Sequence, residues 1–292
     1  MDRSYSPFTH SRLVLPRAAL GACLRAVMVR RTLGVALNDL QRFNHFPATP
    51  LCSLAWWFAG DGELLPPGAT ASLQVPRQPL PARWLFAGPF THPVVTWNPG
   101  PVHVVMVLLQ PDALHRLTGL DVTAWVNRID DVRAVLPPDW LAMCADVAAA
   151  PDDDARIARL QDFLAPRWQA VRPARPMSAQ RYLDWVQSLA LHAATSAPGR
   201  SLRQMERRIK RWAGLPLREL RGIGRSEQAF FHALAAAVEP GGPDWAGIAD
   251  ASGYADQSHL CRETRRLTGF SPEELYRRIA ADESFWSYRM WR

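Results

Sequence analysis

The stretch Trp245–Leu275, WAGIADASGYADQSHLCRETRRLTGFSPEEL, predicts three short helices in succession near the C-terminal end of the chain. Asp244 and Asp256 each precede a run of apolar residues at helical spacing, and an aspartate in that position caps a helix by accepting a backbone N–H. Gly253 lies between the two runs and suits a turn with a positive φ angle. The first two helices are therefore expected to pack together as a helix-turn-helix unit, in which the second helix enters the DNA major groove.

The second helix is predicted over Gln257–Thr268, and its two faces differ in character. Leu260, Thr264 and Leu267 recur at three- and four-residue spacing and are expected to face inward. The outer face is polar and basic. Beyond it, Gly269 is expected to end the helix, and the segment Ser271–Glu274 contains the serine, proline and acid of a capping box, which predicts a third helix.

A similar pattern occurs earlier in the chain, in SLRQMERRIKRWAGLPLREL from Ser201 to Leu220. When the two segments are aligned, five residues coincide: Arg207, Arg211, Gly214, Glu219 and Leu220 match Arg262, Arg266, Gly269, Glu274 and Leu275. Basic residues are concentrated around this first copy. The sequence therefore predicts two amphipathic basic helices of matching layout.

These residues resemble the C-terminal domain of AraC/XylS-type transcriptional regulators, and the most specific match is DQSHLCRETRRLTGFSPEEL. The resemblance covers about residues 178–280 and implies two helix-turn-helix units joined by a long helix, here Leu217–Val238. A single helical stretch, Ala179–Thr195, precedes the first recognition helix where the family has two helices, so the first unit is expected to be abbreviated. Thr264 stands where the family usually has a large apolar residue, which predicts a slightly looser second unit.

The family's DNA contacts, carried over by position, fall on the outer faces of the two basic helices. The candidates for base contact are Arg203, Glu206, Arg207, Gln257, Ser258, His259, Cys261 and Arg262. The candidates for phosphate contact are Arg208, Arg211, Arg265 and Arg266. An arginine that bonds a guanine with two hydrogen bonds contributes about 1–3 kcal/mol of discrimination, whereas phosphate contacts set affinity and salt dependence.

Residues 1–170 are predicted to form a different, β-rich domain with flanking helices. Short apolar or alternating runs separated by proline and glycine predict strands at Leu51–Phe58, Ser72–Val75, Trp84–Phe86 and Val102–Leu109. Helices are predicted at Pro111–Leu117, Pro138–Ala149 and Asp152–Trp168. Residues 171–177, with two prolines, are predicted to be a linker, and residues 178–292 a DNA-binding domain with an aromatic C-terminal tail. The expected fold class is thus an α+β protein of two domains, the second one all-α.

In the family, the N-terminal domain commonly senses a small molecule and takes part in dimerisation. Aromatic residues crowd the β-rich region, and the candidates for lining an apolar ligand pocket are Trp56, Trp57, Phe58, Trp84 and Phe86. Such residues are more often simply core, and the sequence leaves both interpretations open. The aromatic tail is expected to pack back on one of the two domains, because an exposed patch of that size would favour association.

Composition argues against several other classes of protein. The net charge of +7 fits a polyanionic partner, and no apolar run is long enough for a membrane span. The four cysteines, Cys23, Cys52, Cys144 and Cys261, have neither disulfide-framework nor zinc spacing, and His92, His103 and His115 form no ligand pair. Nucleotide-binding and hydrolase motifs are missing from the sequence. We expect a cytoplasmic protein that is not an enzyme and needs no cofactor.

The sequence as a whole predicts a DNA-binding transcriptional regulator, either activator or repressor. Its expected partners are double-stranded DNA, a small-molecule effector, RNA polymerase and a second copy of the chain, with no membrane among them. Two alternatives stay open at this point. One is a module that binds RNA or a protein without operator specificity, and the other is an enzyme in the N-terminal half that a DNA-binding tail localises.

Overall fold

The computed structural model describes residues 10–173, 181–195, 201–236 and 242–291, and all structural statements refer to these ranges. A β-rich N-terminal region is followed by a helical region, which confirms the predicted fold class. Within the described ranges, none of the helices combines the length and the apolar character that crossing a membrane requires.

The β-rich region contains two antiparallel sheets. Its strands are β1 (His10–Val14), β2 (Leu24–Arg31), β3 (Phe43–Phe46), β4 (Cys52–Ala59), β5 (Glu63–Leu64), β6 (Gln78–Pro79), β7 (Trp84–Ala87), β8 (Val94–Trp97), β9 (His103–Leu109) and β10 (Ile129–Asp131). The larger sheet has six strands in the order β1-β2-β9-β4-β7-β10, and the smaller has four in the order β3-β8-β5-β6. The prediction of a strand at Ser72–Val75 is wrong. These residues form a turn, in which the Val75 N–H donates to the Ser72 carbonyl.

The helices follow in chain order. They are α1 (Pro111–Thr118), α2 (Pro138–Ala148), α3 (Asp153–Val171), α4 (Tyr182–Thr195), α5 (Leu202–Ala213), α6 (Leu217–Ala236), α7 (Trp245–Ala251), α8 (Gln257–Thr268), α9 (Pro272–Ala281) and α10 (Trp286–Arg289). Most of the predicted linker, together with the expected helix start at Ala179, lies outside the described residues, as does Val238 at the predicted end of the joining helix.

The two faces of the six-stranded sheet have different neighbours. Helices α1, α2 and α3 cover one face, where Trp56 and Phe86 of the sheet pack with Trp140 and Leu160 of the helices. The other face is turned toward the helical region and the smaller sheet. Because successive side chains of a strand point to opposite faces, the inner strands β2, β9, β4 and β7 each contribute to two separate cores.

The helical region is built on α6. The pair α4 and α5 packs against its first half, and the pair α7 and α8 against its second half. The arrangement is that predicted from the sequence, two helix pairs joined by a long helix.

The aromatic C-terminal segment packs both on the β-rich region and on α6 and α9 of the helical region, which are the two placements expected for it. The Trp286 indole N–H donates to the Asn44 side-chain oxygen at 2.8 Å, and the Ser287 hydroxyl donates to the His45 carbonyl at 2.6 Å. Phe285 is fully buried in the same contact. The end of the described chain thus returns to strand β3, more than two hundred residues earlier.

Candidate functional site

Helix α8 has the geometry expected of a recognition helix. The Asp256 carboxylate accepts the His259 N–H at 2.6 Å, which caps the start of the helix, and Gly269 ends it with a φ angle of 87°. Leu260, Thr264 and Leu267 are buried, as their spacing predicted. The opposite face of the helix is therefore left to solvent.

Helix α7 precedes it and supplies the packing partner. Asp244 caps α7 by accepting the Ala246 N–H at 3.1 Å, and Gly253 adopts a φ angle of 72° in the turn between the helices. Ile248 of α7 and Leu260 of α8 lie in one apolar cluster. The predicted hydrogen bonds thus fix where α7 and α8 begin, and an apolar contact joins the two helices.

The capping box after α8 forms only in part. The Ser271 hydroxyl accepts the Glu274 N–H at 3.3 Å, as predicted. The Glu274 carboxylate, however, turns away from the backbone of Ser271 and accepts a hydrogen bond from Arg278 at 2.9 Å. An ion pair one helical turn away competes with the backbone N–H for the same carboxylate.

The candidate DNA-contacting residues of α8 differ in their exposure to solvent. Gln257, Ser258, Arg262, Arg265 and Arg266 are exposed, whereas His259 and Cys261 are half-buried. The His259 ring meets the Tyr254 ring edge to face, with 5.2 Å between centroids. Arg266 forms ion pairs with Glu219 of α6 and Glu263 of α8. Its charge is thus largely neutralised within the protein.

Helix α5 presents the first set of candidates. Ser201 caps it by accepting the Gln204 N–H at 3.3 Å, Ile209 and Ala213 are buried, and Arg203, Arg207 and Arg211 are exposed. Two other candidates are bound locally: the Glu206 carboxylate accepts the Leu217 N–H of α6 at 3.3 Å, and Arg208 donates to the Ala193 carbonyl of α4 at 3.0 Å.

The remaining arginines make the two outer faces electropositive. Among the residues that the structure describes, Arg203, Arg207, Arg262 and Arg265 form no ion pair. Ile209 of α5 and Leu267 of α8 belong to one apolar cluster with α4 and α6. Both basic helices are therefore held by a shared core, with cations on their solvent faces.

Both basic helices also end against the β-rich region. A Cβ added to Gly214, at the end of α5, would lie 3.1 Å from side-chain atoms of Val122 and Val126. The Leu267 carbonyl near the end of α8 accepts the Ala48 N–H at 2.7 Å. The hydrogen bond from the Thr123 hydroxyl lowers the pKa of Asp121, and the charge of Arg211 on α5 lowers it further to a smaller degree. The β-rich region thus touches each helix directly.

A cavity of about 280 Å³ lies between the β-rich and helical regions. The inner face of the large sheet lines one side, through Ser53, Ala55 and Met106 among others, and α6 and α8 line the other, through Phe230 and Thr264 among others. Most of the lining is apolar. Its size and walls are those of a small-molecule site.

The five aromatic ligand candidates fall on both faces of the sheet. Trp57 lines the cavity. The side chains of Trp56, Phe58, Trp84 and Phe86 pack on the face covered by α1 to α3, and the Trp56 indole donates to the Cys144 carbonyl at 3.1 Å. Strand pleating explains the division, since Trp56 and Trp57 are neighbours in β4 and point to opposite faces.

Sequence reasoning missed most of the cavity wall. Ser53, Ala55, Leu85 and Ala87 line it, and they are the small or aliphatic residues that alternate with the predicted aromatic ones in β4 and β7. That alternation is a signal that could have identified them. The residues from α6, α8 and α9 could not be found in this way, because they reach the cavity only through the packing of the two regions.

The histidines and cysteines are dispersed. His103 pairs with Asp153 at 2.9 Å, and His115 and His92 contact the carbonyls of Leu120 and Pro93. Within the described ranges, no three His, Cys, Asp or Glu side chains are grouped as metal ligands would be. All four cysteines are free thiols.

No protein-family model matches the chain, and no curated protein matches it. Among solved structures, it is similar to an apo point variant of ToxT from Vibrio cholerae, with 10% identity, a TM-score of 0.38, and coverage of 86% of this chain and 96% of that chain. It is also similar to wild-type ToxT from Vibrio cholerae bound to an unsaturated fatty acid, with 11% identity, a TM-score of 0.37, and coverage of 86% and 94%.

Proposed function

We propose that the chain is a sequence-specific, DNA-binding transcriptional regulator of the AraC/XylS type, controlled by a small molecule. The supporting observation is the pair of basic helices, α5 and α8, which share one apolar core and expose arginines without ion-pair partners in the described structure. Uncompensated cations on a helix face suit the phosphate backbone and the guanine edges of the major groove.

The residues in this proposal differ in their expected roles. Arg203, Arg207 and Arg262, with Gln257 and Ser258, are proposed to contact bases because they are exposed toward the N-terminal or central parts of their helices. Arg211 and Arg265 are proposed to contact phosphates. Glu206, Arg208 and Arg266 are proposed to act mainly through the local hydrogen bonds and ion pairs that hold the helices.

Control by a small molecule is proposed from the contacts of the β-rich region. This region touches the ends of both α5 and α8, and the cavity between the regions is lined partly by α8. A ligand bound there would favour one arrangement of the helices among those available to the protein. RNA polymerase and a second copy of the chain are further partners in this proposal.

The proposal is tested by selecting bound fragments from genomic DNA with the full-length protein and then measuring affinities for a selected and a random duplex. We expect Arg262→Ala to lose about 5- to 150-fold on the selected duplex, which corresponds to about 1–3 kcal/mol, with little change on the random one. Arg211→Ala should weaken both alike. Arg167→Ala, on the exposed surface of α3, serves as the charge-matched control.

Two results would contradict the proposal in different ways. If the wild-type protein selects no sequence but binds every duplex or RNA equally, the chain is a general nucleic-acid binding module. If Arg262→Ala discriminates as well as the wild type does, Arg262 is not a base-contacting residue.

A further inference from the structure

The cavity between the two regions has walls from distant parts of the chain. Ala55 and Met106 belong to the large sheet, while Leu260 and Thr264 belong to the inward face of α8. Thr264 is the position where a large apolar residue was expected from the resemblance. Its short side chain leaves open space that a phenylalanine would fill.

The charges around the cavity are already satisfied. Glu227 is the one Asp, Glu, Lys, Arg or His among the described residues that line it. One Glu227 carboxylate oxygen accepts from Arg25 at 2.8 Å, and the other accepts from the Tyr182 N–H at 2.6 Å. The side chains of Arg25 and Glu227 are 7% and 11% exposed. An ionised ligand would therefore be desolvated without meeting an unpaired counter-charge.

The size of the cavity limits the ligand. Its volume of about 280 Å³ exceeds that of an engineered apolar protein cavity of ~150 Å³ that binds benzene. A small molecule larger than benzene therefore fits. Transfer of an apolar molecule from water into an apolar cavity is favourable without any specific polar contact.

We propose that this cavity binds an uncharged, mainly apolar small molecule, which contacts the inner sheet face and the buried face of α8 at once. The inference rests on the proposed function in that this molecule is the effector of the regulator. Its contact with Leu260 and Thr264 gives it a direct route to the basic face of the same helix.

The first test uses the full-length protein and the neutral fluorophore N-phenylnaphthylamine. We expect saturable binding by the wild type and at least a tenfold weaker affinity for Ala55→Phe and for Thr264→Phe, which fill the cavity from opposite walls. Thr195→Phe, on the exposed end of α4, is the matched control and should bind as the wild type does. Unchanged binding by both filled variants, or no binding by the wild type, overturns the proposal.

The second test concerns charge and needs no variant that fills the core. Decanol and decanoate, matched in chain length, compete for the bound fluorophore at pH 8. We expect decanol to displace it at a concentration at least tenfold lower than decanoate. Displacement by decanoate at an equal or lower concentration overturns the assignment of an uncharged ligand.

Glu227→Gln tests the cause of this preference. The substitution removes the carboxylate and keeps an oxygen for the Tyr182 N–H, so that Arg25 loses its counter-charge. We expect the competition by decanoate to improve at least tenfold while that of decanol stays within twofold. If the ratio of the displacing concentrations of decanoate and decanol does not change, the Arg25–Glu227 pair does not set the selectivity.

DNA affinity measured on the same variants separates this inference from the proposed function. If fragments of genomic DNA are selected but no neutral probe enters the cavity, only the ligand inference fails. If the probe binds and no DNA sequence is preferred, the regulator proposal fails and the cavity remains a binding site.

Discussion

Arg30 of strand β2 and Glu283 of the C-terminal segment form a buried ion pair, with 2.6 Å between Nη1 and Oε1 and side chains only 5% and 1% exposed. Arg289 reaches the other Glu283 oxygen at 2.7 Å. The Arg30 guanidinium also lies over the Trp286 ring, 4.8 Å from its centroid. One carboxylate thus bridges two guanidiniums at the place where the C-terminal segment meets the sheet.

Replacing Glu283 with glutamine should therefore be strongly destabilising, since it removes the buried carboxylate that both the Arg30 and the Arg289 guanidiniums contact. We expect the free energy of unfolding in urea to fall by about 3–5 kcal/mol. The matched control is Asp139→Asn, which removes the acid of the exposed Arg167–Asp139 pair and should cost about 0–1 kcal/mol. Equal losses in the two variants would mean that burial of the Arg30 pair adds nothing.

His45 predicts a specific pH dependence of stability. Burial and, secondly, the charge of Arg278 lower its pKa to about 4, and its ring stacks on Phe285 with 4.5 Å between centroids. The unfolded imidazole takes up its proton near pH 6.5, well above the folded one. Between these values the unfolded state binds more protons, so that stability is complete above pH 6.5 and is lost as the pH falls toward 4.

Calorimetric unfolding at pH 7 and pH 4 measures this effect. At 1.36 kcal/mol for each pKa unit, the wild type should lose about 3 kcal/mol over the range in addition to its other titrations. His45→Phe should lack this component. His10→Gln, a substitution at an exposed position, should keep this pH-dependent loss of stability. If the stability of His45→Phe changes with pH in parallel with that of the wild type, His45 is not the residue responsible.

The parts of the structure that the sequence predicted are those fixed by local interactions. Asp244, Asp256 and Ser271 cap helices through hydrogen bonds to backbone groups two or three residues away. Such contacts depend only on neighbouring residues, and a pattern of residue types therefore locates them. The exposed positions of Arg207 and Arg262 follow from the same helical periodicity.

The parts that could not be predicted depend on distant packing. The sequence does not distinguish the adjacent Trp56 and Trp57. Only the placement of helices α1 to α3 decides which of the two side chains faces the cavity between the β-rich and helical regions. Arg266 was expected to be available for DNA, but Glu219, 47 residues away, pairs with it. Contacts of this kind need the tertiary structure, because no local pattern relates the two residues.

Gly214 tests the contact between α5 and the β-rich region. It has a φ angle of 77°, and an added Cβ would approach Val122, Val126 and Pro89 to 3.1–3.2 Å. Gly119 has a φ angle of 74° with open space around it, so Gly119→Ala measures the backbone strain alone, about 1–2 kcal/mol. We expect Gly214→Ala to cost more than this control in urea unfolding and to alter the affinity for the selected duplex. Equal costs and unchanged DNA binding would show that the contact adjusts freely.

The ion pairs of Arg266 predict that removing one of them strengthens binding at the proposed DNA-binding face. Glu219 and Glu263 hold this guanidinium, and Glu219→Gln would remove one of the two acids while keeping the side-chain volume. The freed charge should tighten binding to selected and random duplexes alike. It should also steepen the slope of log affinity against log salt by up to ~0.9, the value for one added phosphate contact. Asp154→Asn, which removes an equal charge from the exposed Arg12–Asp154 pair, controls for net charge and should leave the slope unchanged. A slope that stays the same in Glu219→Gln would place Arg266 away from the bound DNA, and its role would then be to join α6 to α8.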